Sequence, residues 1–97
     1  MIRTVAVKTN SVEVEMESQE LAAVRRLRSL DGIMTGVLDS ARPSGVDGFI
    51  VLTADRFAFE HLAGEIAHTV TVSRGWSPRL EALSNAADAI ESALAHY

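Results

Sequence analysis

The chain contains no cysteine, which excludes disulfides, thiolate metal sites and thiol nucleophiles and leaves packing alone to hold the fold. Aromatic anchors are few, at three Phe, one Trp and one Tyr. Long apolar runs are missing too. The longest strongly apolar stretch, Phe49 to Leu52, falls far short of the roughly 20 residues that span a bilayer. Met1 to Asn10 lacks the charged-then-apolar pattern of an export signal, so the expected location is cytoplasmic, with no membrane partner.

Positive charge is also scarce. Nine Lys and Arg stand against 13 Asp and Glu, for a net charge of −4 and a pI near 5.2. Nucleic-acid affinity depends on cationic neutralisation of phosphates, so this balance argues against a chain devoted to that task. The motifs of catalysis are missing as well. There is no Gly-x-Ser-x-Gly elbow, no glycine-rich phosphate loop after a strand and no His-Glu-x-x-His. No catalytic residue is assigned and no cofactor is expected.

What is present is an ordinary globular composition, 47% hydrophobic and 23% charged over 97 residues, which fits a single domain spanning residues 1–97. The apolar fraction is rich in alanine. Small side chains let helices approach closely but bury little area each, at roughly 25 cal/mol per Å². Association with a second copy would remove more apolar surface from water.

The patterning predicts an α+β fold: a small sheet made of an N-terminal β-hairpin and one central strand, packed with three to four helices in the order β-β-α-(α)-β-α-α. Ile2 to Val7 and Val12 to Met16 read as hairpin strands around Lys8-Thr9-Asn10-Ser11. Val12 and Val14 then share one face, and Glu13, Glu15 and Glu17 the other. Ser18 is the expected N-cap of a helix over Gln19 to Ser29. Asp31-Gly32 breaks it, and a short helix through Ile33, Met34, Val37, Leu38 and Ala41 follows, weakened by Gly32 and Gly36.

Arg42 to Gly48 reads as a loop. Phe49 to Leu52 reads as a strand apolar on both faces, hence central or covered on both sides. Thr53 is the expected cap of a helix running to about Val72, whose Phe59, Leu62, Ala63, Ile66 and Val70 form the core stripe. The β-branched run 69–72 also suits a short strand. Gly75 fits a helix C-terminus, and Ser77-Pro78 an N-cap with proline at the first helical position of a helix to about His96.

In that last helix Trp76, Leu80, Leu83, Ala87, Ile90, Leu94 and Tyr97 recur at alternating spacings of four and three, the pattern of a buried seam. The seam either packs within the chain or pairs across a dimer axis. On the preceding helix Phe57, His61, Gly64 and His68 share a face roughly opposite the core stripe, and Gly64 lets another backbone come close. The leading reading is a small protein-interaction protein, accessory or regulatory, that binds itself first. The expected interface is Phe57, His61, Gly64, His68, Trp76, Leu83, Ile90, Leu94 and Tyr97.

Two other readings stay open. His61, Glu65 and His68 fall on one helical face and suit a divalent metal or small ligand, although the second motif that completes a carboxylate-bridged site is absent. Arg25, Arg26 and Arg28 form the one basic cluster and would serve a nucleic-acid-associated regulator, but no aromatic lies among them. The alternating glutamates of the second strand either favour a cationic partner or keep a sheet edge from pairing.

Overall fold

The structure, a computed structural model, describes residues 11–73 and 75–96. The first expected strand, Ile2 to Val7, lies outside them. Ser11–Glu17 forms β1, in which Val12, Val14 and Met16 are buried while Ser11, Glu13 and Glu15 are exposed. This is the period-two alternation of a strand with one face in the core. Its partner is β3, Phe49–Asp55, paired antiparallel so that Val14 faces Leu52 and Glu15 faces Val51.

A two-residue strand β2, Arg42–Pro43, pairs with the other edge of β3 inside the segment expected to be loop. Its brevity and its proline hide it from any periodicity, and proline is tolerated there because the strand is short and peripheral. The sheet order is β1-β3-β2, so β3 is central as expected. Among the described residues, helices cover it on one side only. Helices contact the sheet on the face of Val12, Val14, Met16 and Leu52, while Phe49, Val51 and Thr53 on the other face are half-buried.

The element order is β-α-α-β-β-α-α, an α+β fold. Helix α1, Ser18–Arg25, begins one residue earlier than expected: Glu17 is the N-cap, and the Glu20 carboxylate accepts from its N–H at 3.0 Å. The Ser18 hydroxyl donates instead to the Gly48 carbonyl, tying the helix start to the turn before β3. The helix also ends before Ser29, where Arg26 and Leu27 tighten into bonds to Ala23 and Val24. Such i+3 bonds satisfy carbonyls that an α-helix end leaves open.

Asp31 does not break the first helix, which has already ended at Arg25, but it caps α2, Gly32–Asp39, by accepting from Met34 N–H at 2.9 Å. Thr53 does not cap α3, because β3 continues through it. Asp55 does so, accepting from Ala58 N–H at 2.8 Å, while the Thr53 N–H donates to the Ser40 hydroxyl. Helix α3 spans Arg56–Val72, so the β-branched run 69–72 is helical, with Val70 packed against the core and Thr71 and Val72 exposed.

Gly75 takes φ +74°, a conformation that side chains with a Cβ avoid, and turns the chain into α4, Pro78–Leu94. Ser77 caps α4 by accepting from Leu80 N–H at 3.2 Å, with Pro78 at its first turn as expected. Leu83, Ala87, Ile90 and Leu94 of α4 enter the same buried cluster as Phe59, Leu62 and Ile66 of α3. That cluster holds the two helices side by side and sets which α3 residues remain outside. No described helix is long and apolar enough to cross a membrane.

Candidate functional site

The core takes one side of α3 and leaves the other side to solvent. Ala58, Phe59, Leu62, Ala63 and Ile66 are buried. At 100° per residue, Phe57, His61, Gly64, Glu65, His68 and Val72 fall within one stripe on the far side. Phe57 is 63% exposed and Val72 61%. Gly64 and His68 are exposed, and nothing lies within 4 Å of where a Gly64 Cβ would stand. Two bulky apolar side chains thus bracket a low, imidazole-bearing middle.

The Phe57 end is ordered by its neighbours. Its ring stacks on His61, with centroids 6.2 Å apart and planes within 12°. His61 Nε2 in turn lies 2.7 Å from Asp31 Oδ2. The same carboxylate accepts from Met34 N–H, and that bond first, with His61 beside it, holds Asp31 below its ordinary value of 3.8. The N-terminus of α2 therefore fixes the orientation of His61, and His61 supports the Phe57 ring. The role of Asp31 escapes any reading of α3 alone, since it comes from 30 residues upstream. Asp-Gly before an apolar run is the signal that finds its capping function.

At the other end Trp76, 72% exposed, stands on the α3–α4 connection. It borders a groove of about 350 Å³ lined also by Val70, Leu80, Ser84 and Asn85. A second groove of about 420 Å³, between α1 and α4, is lined by Ala22, Arg26, Arg79, Glu81 and Asn85. Glu81 and Asn85 border both, so the first turns of α4 form a ridge between two hollows.

The expected interface residues thus divide. Phe57, His61, Gly64 and His68 share the outward stripe of α3, and Trp76 sits beyond its end. Leu83, Ile90 and Leu94 are buried in the chain's own core; Tyr97 lies outside the described residues. His61, Glu65 and His68 share the stripe as the spacing requires, but His61 is engaged with Asp31, and among the described residues no three His, Asp or Glu side chains converge on a point. In the basic cluster, Arg25 donates to the Leu38 carbonyl at 3.3 Å, Arg26 lines the α1–α4 groove and Arg28 is exposed. No family model, curated protein or solved structure matches the chain.

Proposed function

We propose that this protein works by binding protein, and first of all a second copy of itself, through the outward stripe of α3. One observation carries the reading. Of the large hydrophobic side chains left exposed among the described residues, Phe57 and Val72 lie on this one stripe, on a helix whose opposite side already fills the core. Isolated exposed apolar residues need no explanation, but an aligned set with one smooth centre marks a contact surface.

The spacing favours a second copy as the occupant. A two-fold interface brings each residue against its counterpart's reciprocal position. If two α3 helices cross antiparallel with the axis between Gly64 and Glu65, Phe57 of one copy meets Val72 of the other, and His61 meets His68. Bulk meets bulk at the ends, and the absent Gly64 side chain lets the backbones approach at the centre. Trp76, four residues beyond Val72 on the α3–α4 connection, would add aromatic contact area at the edge of this pairing.

The test is solution mass across a dilution series, measured by sedimentation with and without chelator. A dimer that ignores chelator and that Phe57→Asp converts to monomer, with helix content unchanged, is the expected result. Because the chain has no cysteine, Gly64→Cys should oxidise to a linked dimer while Ala67→Cys, off the stripe, should not. Dimerisation that depends on metal would instead favour bridging through His61, Glu65 and His68. A strict monomer at all concentrations removes the self-association reading.

A further inference from the structure

The sheet's second face lies away from all four helices and carries a different chemistry. Its register sets Glu13 opposite Thr53, Glu15 opposite Val51 and Glu17 opposite Phe49, with Arg42 on the other flank of Val51. A half-buried apolar row, Phe49 and Val51, therefore runs along the centre of the face with a carboxylate row beside it. Arg42 is already committed: its guanidinium reaches Glu13 Oε2 at 2.9 Å and Thr53 Oγ1 at 2.6 Å. Among the described residues three carboxylates stand against that one cation; Glu17 accepts from the Gln19 side-chain amide at 2.9 Å, and Glu15 makes no ion pair. At the Phe49 end the face opens into a hollow of about 400 Å³ bounded by Glu17, Ser18, Gln19 and Gly48.

We infer that this open sheet face is a docking surface for a basic amphipathic helix of a partner protein. Charge complementarity selects the occupant. Carboxylates in a row repel nucleic acid and anionic lipid, and they repel the same face of a second copy, whereas Lys or Arg side chains relieve them. Spacing selects the helix. Successive glutamates on one strand face stand about 6.8 Å apart, close to the rise of about 6 Å between helix positions i and i+4. A helix lying along β1 and β3 brings a Lys or Arg ladder to Glu13, Glu15 and Glu17 while its apolar stripe covers Val51 and Phe49. A bulky side chain at its end fits the hollow beside Phe49. This surface is separate from the α3 stripe and does not depend on it.

The probe is a synthetic helical peptide of about 16 residues, long enough to run the length of a seven-residue strand. It carries lysines at i, i+4 spacing beside a leucine stripe, and a control peptide has the same composition in shuffled order. Peptide anisotropy gives affinity with the full chain, and amide shifts of the protein give the location. Expected is binding about tenfold tighter for the patterned peptide than for the shuffled one, equivalent to about 1.4 kcal/mol, with shifts confined to β1, β3 and the turn at Gly48. Glu13→Gln with Glu15→Gln should weaken binding by a similar factor, and Val51→Lys should remove it. Phe57→Asp should leave it intact, with helix content checked for each variant. The inference is overturned if the two peptides bind alike, if neither binds, or if the shifts fall on α3 and α4. It is also overturned if binding appears only after residues 1–10 are deleted, which makes the chain's own N-terminus the occupant. Growth of the full chain beyond a dimer that the glutamate variants abolish would assign the face to a second copy and overturn it equally.

Discussion

Helices α3 and α4 are both 17 residues long and lie side by side, yet they treat their apolar residues in opposite ways. The four-three seam of α4 disappears into the core from Leu83 to Leu94, and its exposed side is polar or small: Arg79, Glu81, Ser84, Asn85, Asp88 and Glu91. Helix α3 buries an equally good stripe and then presents Phe57 and Val72 on its other side. The stronger periodicity in the sequence thus belongs to the helix with less to offer a partner. A seam that the core satisfies is spent, whereas apolar residues out of phase with the core stripe remain available.

The contrast is broken most severely from the inside. Ile90→Ala in α4 and Leu62→Ala in α3 each empty a fully buried position and should cost about 2–5 kcal/mol in a denaturant titration, whereas Phe57→Ala should change stability by less than about 0.5 kcal/mol. A Phe57→Ala cost equal to that of Leu62→Ala would mean that the α3 stripe is structural after all.

The second largest effect is on association. Val72→Asp should shift the solution mass from dimer toward monomer as Phe57→Asp does, because the antiparallel pairing makes the two positions reciprocal. Trp76 is the one tryptophan and stands largely in water, so its emission should move to shorter wavelength as concentration rises in the wild type and stay fixed in either variant. An emission maximum independent of concentration would detach Trp76 from the interface.

Smaller effects come from the helix starts. Ser77→Ala removes the oxygen that accepts from Leu80 N–H and should cost about 1 kcal/mol, read as a lower thermal midpoint with association unchanged. Asp31 has a pH signature. Its carboxyl is held below the ordinary value in the folded chain, so the folded form takes up its proton less readily than the unfolded form. The stabilisation is fully present above about pH 4 and is lost as pH falls through the lowered value. Unfolding followed from pH 6 down to 2 should therefore show a shallower acid limb in Asp31→Ala; an unchanged limb would show that neither Met34 nor His61 favours the carboxylate.

Legibility followed locality. Ser77 and Pro78 announce the α4 start because capping oxygen and fixed proline φ act within a few residues, and the structure has both in that role, whereas Gly75, expected at the C-terminus of α3, lies two residues beyond its cap Ser73 and takes its positive φ in the connection. The alternation of β1 and the core stripe of α3 were readable for the same reason. Ser18 and Thr53 show the limit: both are good capping residues, and each gives up that role to a neighbour, Thr53 because β3 runs on through it to Asp55, and Ser18 because its hydroxyl is bonded to the Gly48 carbonyl while Glu17 and Glu20 close the start of α1. At the candidate site, the shared face of Phe57, His61, Gly64 and His68 was legible from helix geometry. The Asp31 carboxylate under His61, the exposure of Val72 and the groove beside Trp76 were not, since each depends on where a second element packs.

The sequence by itself determined the class of fold, the start of the last helix at Pro78, the phase of each apolar stripe and the lack of thiol chemistry, because these follow from covalent composition and short-range periodicity. The tertiary structure alone decided that β3 pairs with both β1 and Arg42–Pro43, that the helices cover one face of the described sheet and not the other, and that the α4 seam is consumed within the chain while α3 keeps a second face outside the core. Those outcomes rest on contacts between residues far apart in the chain, and a one-dimensional pattern states which side of an element is apolar without stating what comes to cover it.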